Sequence, residues 1–125
     1  MLDSPGIVPI ATERGIRYGV AESLAPAQAA AIAHFVNDAF RHDYGDRAVG
    51  LTAAADIGWL LSPAGSFGIL AYDAAGELVG CELACRRELC IGARVLPAYY
   101  VTLLTVAPHQ RGRGIAQRIL RLLTP

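Results

Sequence analysis

Lysine is missing from this 125-residue chain: all 11 basic residues are arginine, and 11 acidic residues balance them. A neutral chain has no global field to recruit nucleic acid or an anionic membrane surface, so neither is expected as a partner. Without lysine there is also no Walker phosphate loop, whose G-K-[ST] end requires one. Cysteine is scarce and odd in number: Cys81, Cys85 and Cys90. Their C-x3-C-x4-C spacing has no C-x2-C pair and no histidine nearby, so neither a disulfide framework nor a metal site is expected. Long apolar runs are absent as well. Ala29 to Ala33 and Val101 to Leu104 fall far short of the ~20 residues that cross a bilayer. The opening MLDSPGIVPIATERG has no apolar segment behind a basic start, so no signal peptide is expected, and the chain reads as soluble and cytoplasmic.

What the chain does have is apolar residues, 54% against 18% charged. At this size about two-thirds of the unfolded surface becomes buried, enough for one domain with a core and no staples. Residues 1–15, with two prolines, two glycines and no period, read as a loose leader before a single domain over 16–125. Ile16 to Ala21 alternates and predicts a first strand. Ile32, Phe35, Val36, Ala39 and Phe40 recur at helical spacing after Pro26, and Asp43, Gly45 and Asp46 break the pattern. A shorter helix is expected from about Thr52, its candidate N-cap, with Ile57, Leu60 and Leu61 inward and Pro63 and Gly65 ending it. The period then falls to two. Ser66 to Asp73 and Glu77 to Arg86 predict a hairpin closed by Asp73-Ala74-Ala75-Gly76. Leu89 to Leu96 fits either an extension of that strand or a loop. Tyr99 to Val106 is the strongest strand, and Gly114 to Leu123 has helical spacing. Cys81 and Cys85 share a strand face with Val79 and Leu83 and read as packed, inert thiols.

Chemistry concentrates in Val101 to Ala116, VTLLTVAPHQRGRGIA. A buried strand runs into a Gly-containing turn that opens a helix. Such a turn aims unpaired backbone N–H groups and the positive helix end at whatever lies above it. Gly112 and Gly114 permit close approach, and Arg111 and Arg113 suit phosphate oxygens, so the turn fits a phosphate or pyrophosphate. A dinucleotide fingerprint fails. Gln117 stands where its third glycine belongs, and too few residues follow for the acidic ribose partner. A plain strand-to-helix connection with solvated arginines is the bland alternative, and a nucleic-acid role for Arg111, Arg113, Arg118 and Arg121 the weaker one.

Arg111-Gly112-Arg113-Gly114-Ile115-Ala116, behind the hydrophobic strand and Val106-x-Pro108, resembles the [Q/R]-x-x-G-x-[G/A] acyl-CoA-binding motif of the GNAT N-acetyltransferase superfamily. The order strand, two helices, hairpin, strand, helix over residues 16–125 matches about the first two-thirds of that fold. The resemblance implies an α/β fold with a mixed, mostly antiparallel sheet and flanking helices, lacking the family's C-terminal strands and helix. It implies acetyl-CoA as acyl donor and an unidentified small-molecule or peptide amine as acceptor. The amides from Arg111 to Ala116 would hold the pyrophosphate. A bulge would splay the preceding strand, so that Leu104, Thr105 and Val106 pair with pantetheine and one N–H stabilises the oxyanion. The family's bases vary and often sit on central strands, which makes Glu82 the candidate here. Tyr99, Tyr100 and Thr102 are candidates to line the acceptor side. His109, beside the loop, is expected on phosphate or in solvent, and His34 and His42 have no role. No tyrosine follows Tyr100 to serve as the acid that protonates the thiolate. The apolar strand would form an exposed edge, open to a homodimer. A non-catalytic CoA-binding or interaction module is the alternative function.

Overall fold

The computed structural model describes residues 6–47 and 52–123. Five strands, β1 (Ile7–Glu13), β2 (Ile16–Ala21), β3 (Phe67–Tyr72), β4 (Leu78–Ile91) and β5 (Arg94–Val106), form one sheet in sequence order. Every pairing is antiparallel, where the sequence led us to expect a mixed sheet. The helices are α1 (Pro26–Tyr44), α2 (Ala54–Leu60) and α3 (Ile115–Leu123).

The alternation seen in the sequence sets the two faces. Cys81, Leu83 and Cys85 pack with Ile32, Val36 and Ile57 beneath α1 and α2. Ile69, Ala71 and Ala107 pack beneath Ile115 and Ile119 of α3, and so does Val79, which was expected on the Cys81 face: the register shift between Ala71 and Tyr72 leaves it opposite no β3 residue and turns it over. Gly80 keeps α3 close: a Cβ there would stand 2.9 Å from Ile115 Cγ2 and 3.1 Å from Ile119 Cδ1. Only glycine allows that approach.

Two local expectations need correction, and one open alternative is decided. The stretch expected as a loose leader carries β1, paired to β2 across a two-residue turn with Arg14 at φ 52° and Gly15 at φ 79°; residues 1–5 lie outside the described residues. Both residues of that turn lie in the left-handed region, the type I′ geometry that joins tightly twisted strands. β1 gave no period because its one buried residue is Ile7 and a bulge lies between Pro9 and Ala11. Thr52 is not the N-cap of α2. Ala53 holds that place, its N–H donating to Asp56 Oδ2 at 2.9 Å. Thr52 is instead gripped by the Asn37 amide, whose Nδ2 donates to Thr52 O at 2.8 Å and whose Oδ1 accepts from Thr52 N at 2.9 Å. Leu89 to Leu96 extends the sheet: β4 runs to Ile91 and β5 starts at Arg94.

The Asp73 turn forms as expected, with Gly76 N–H donating to Asp73 O at 3.0 Å and Gly76 at φ 82°. Cys81 and Cys85 are buried and Cys90 is exposed. Burial pushes the Cys81 thiol up to about 12 and raises that of Cys85. A neutral thiol is a poor nucleophile. Iodoacetamide at neutral pH is therefore expected to label one cysteine, Cys90, in the native protein and all three after unfolding. Mass spectrometry of the alkylated peptides reads this directly, and labelling of Cys81 in the folded state would refute the packing described.

Candidate functional site

β5 is the last strand of the sheet, and it is not regular. Cys81 pairs with Thr105 and Leu83 with Thr102, so Glu82 alone faces Leu103 and Leu104. This is a β-bulge, which bends the strand and re-aims its backbone. Leu103 takes φ 59°, a region a leucine enters only under constraint. Two donors converge on its carbonyl: Thr105 Oγ1 at 3.0 Å and Cys81 Sγ at 3.5 Å. They hold the bulge in place.

Past the bulge, β5 ends at Val106, and Ala107 N–H donates to Val79 O at 2.9 Å, fixing the exit of the chain. A single 3-10 turn over Pro108–Gln110 leads into the loop. Gly112 and Gly114 both adopt φ 80°, and no atom lies within 4 Å of where their Cβ atoms would be. The first helical backbone bond of α3 is Arg118 N–H to Gly114 O at 3.0 Å. Among the described residues no protein acceptor meets the amides of Gly112, Arg113, Gly114, Ile115 or Ala116. They are the open donors a helix N-terminus leaves.

Apart from Arg113, the residues that carry these amides border a cleft of about 630 Å³ bounded by Leu104, Thr105 and Val106 on one side and Phe40, Asp43 and Tyr44 of α1 on the other. Gly112, Gly114, Ile115 and Ala116 close its end. The structure thus gathers the three β5 residues and most of the loop around one space.

Arg111 also lines the cleft, but its guanidinium is already engaged. Nη1 and Nη2 donate to Asp43 Oδ1 and Oδ2 at 2.7 and 3.0 Å, and Nε donates to Val106 O at 3.2 Å. This two-pronged bond ties the end of α1 to the end of β5, and it holds the Asp43 carboxyl below its ordinary range. Arg113 lies outside the cleft lining, with Nη1 donating to Gln110 Oε1.

Glu82 is outside it too. It points to the α3 face of the sheet, opposite Cys81, and is 3% exposed. Its Oε2 has no partner among the described residues, and burial raises its pKa. Tyr99 packs rather than lines a site: its hydroxyl donates to Gly65 O at 3.1 Å and its ring meets Phe67 edge-on at 5.6 Å. Tyr100 is exposed, beside Cys85. His109 sits in the 3-10 turn and does not line the cleft. The wall formed by Phe40, Asp43 and Tyr44 was missed in the sequence. Its signal was there in part, since Phe40 and Tyr44 stand four apart on one helix and their rings stack at 5.8 Å.

The acetyltransferase (GNAT) domain family matches residues 21–124. The chain belongs to this family. Among solved structures, this GNAT domain is similar to an aminoglycoside acetyltransferase from an uncultured soil metagenomic sample, at 23% identity and TM-score 0.58, over 86% of this chain and 68% of that one. It is similar to a GCN5-related N-acetyltransferase from Ralstonia eutropha at 22% identity and TM-score 0.60, over 86% and 72%. A Trypanosoma brucei acetyltransferase aligns at 18% identity and TM-score 0.55, over 86% and 71%. At such identities the likeness supports the GNAT fold. No curated protein matches the sequence. No described helix of the domain is long and apolar enough to cross a membrane.

Proposed function

We propose that this GNAT domain moves an acyl group, acetyl in the first instance, from coenzyme A to an amine. The observation that carries this reading is the row of unpartnered amides from Gly112 to Ala116 at the end of the cleft. They offer fixed donors, with the positive end of α3, to the pyrophosphate of acyl-CoA. The Leu104 to Val106 segment of the edge strand offers its free backbone groups to the pantetheine amides as another strand would. The bulge turns backbone groups off the ladder at Leu103 and Leu104, and an N–H there would meet the oxyanion as the amine nitrogen bonds to the thioester carbon. Collapse of that intermediate breaks the carbon–sulfur bond, the thiolate takes up a proton, and the new amide nitrogen loses one. Glu82 is proposed as the base: it is buried, its Oε2 has no partner among the described residues, and it lies directly opposite the bulge.

Calorimetric titration with acetyl-CoA and CoA tests the reading. Gly114→Ala places a methyl group on a left-handed residue beside the open amides, where backbone strain costs about 1–2 kcal/mol. Affinity is expected to fall roughly tenfold, the loss of one charge-assisted contact. Absence of binding by the unmodified protein, or undiminished binding by Gly114→Ala, would overturn the assignment. Thiol release from acetyl-CoA in the presence of a panel of amines separates transfer from binding alone.

A further inference from the structure

On the far side of the α3 N-terminus lies a second, smaller cleft of about 180 Å³. Four arginines line it: Arg14 from the β1–β2 turn, Arg113 from the loop, and Arg118 and Arg121 from α3. One carboxylate, Glu13, opposes them. In a chain whose charges balance overall, the lining of this cleft holds more arginines than carboxylates. Glu13 Oε2 lies 3.0 Å from Arg118 Nε, yet that nitrogen is shielded from solvent and not aligned for a hydrogen bond. Arg113 meets the neutral Gln110, and Arg14 forms no ion pair among the described residues.

The backbone brings these groups together by construction. Gly114, Gln117, Arg118 and Arg121 follow the i, i+3, i+4, i+7 spacing of one helix face. The tight turn that was invisible in the sequence swings Arg14 toward that face, with Arg14 itself at φ 52°. Gly114 and Gln117 line both this cleft and the larger one, so the two spaces meet at the start of α3.

We infer that the arginine cleft is a subsite for the 3′-phosphate of coenzyme A. The inference rests on the acyl-CoA reading of the larger cleft. A pyrophosphate at Gly112–Ala116 leaves one further phosphate on the same molecule, separated from it only by the ribose. A phosphomonoester carries close to two negative charges at neutral pH and three acceptor oxygens, which the planar forks of several arginines fit two prongs at a time. The cleft is therefore a device for telling CoA from its dephosphorylated form.

Affinities for CoA and for dephospho-CoA, measured side by side on one sample, test this without depending on how any variant folds. Dephospho-CoA is expected to bind at least roughly tenfold more weakly, the loss of one charge-assisted contact. Arg14→Gln and Arg121→Gln, which keep the aliphatic stem and a polar end but remove the guanidinium charge, should shrink the ratio toward one while leaving dephospho-CoA affinity unchanged. A ratio near one in the unmodified protein, or a ratio preserved in both variants, overturns the subsite and leaves the acyl-CoA reading standing. Failure of both nucleotides to bind removes that reading itself.

Discussion

Replacing Gly80 by valine is expected to abolish CoA binding although the residue lies in no cleft. A Cβ there would stand 2.9 Å from Ile115 Cγ2, 3.1 Å from Ile119 Cδ1 and 3.3 Å from the Ala71 methyl. Ile115 and Ile119 are fully buried and cannot turn aside, so α3 itself has to move. Overpacking of this kind costs about 1–3 kcal/mol. The displacement has a second effect. Ile115 and Ala116 open α3 and carry two of the unpartnered amides, so lifting the helix misaligns the donors proposed to hold pyrophosphate. Thermal unfolding followed by circular dichroism, together with calorimetry, reads both effects. A variant that melts and binds like the unmodified protein would refute the anchoring of α3 on Gly80.

Glu82→Gln is expected to stabilise the fold and to slow the reaction. Burial raises the Glu82 pKa, so the native state holds a proton that the unfolded chain releases at lower pH. Between the ordinary carboxylate range and the raised native value, the folded state binds more protons than the unfolded one. Stability therefore falls as pH rises through that window and stays lower above it. Glutamine removes the charge and with it the decline, so the variant should gain stability above the window and match the parent below it. Denaturant titrations at a series of pH values show whether the slope disappears. As the proposed base, Glu82 should also be worth about 10²–10⁴-fold in kcat, and its loss should erase the acidic limb of the kcat profile. Full activity with a stability gain would leave Glu82 a buried acid and nothing more.

Those features of the fold that are set locally were legible in the sequence. The α1 stripe, the Asp73 turn, the long apolar strand and the loop with Gly112 and Gly114 announced themselves, because each repeats a spacing or needs a particular backbone angle. β1 escaped since only Ile7 is buried, and a strand that pairs by backbone alone leaves no apolar period. The α2 cap was misread because Thr52 had a stronger offer from Asn37, fifteen positions away, than from its own helix. The β5 side of the cleft followed from the motif. The α1 side depends on Asp43 meeting Arg111 across 68 positions, a contact no local pattern encodes.

The one surplus residue in β5 has a reach well beyond the bulge. Because side chains alternate strictly along a strand, inserting a residue reverses the parity of everything on one side of it. With Leu103 and Leu104 together opposite Glu82, Thr102 shares a face with Leu83, Tyr100 with Cys85, and Tyr99 with Arg86 on the other side. Ironing out that kink would exchange the two tyrosines. Tyr99 would forfeit its tether to Gly65, and the outer half of the β4–β5 ribbon would present its opposite surface to solvent. The small distortion thus acts as an index mark, deciding for eight residues back to Val95 which way each one looks.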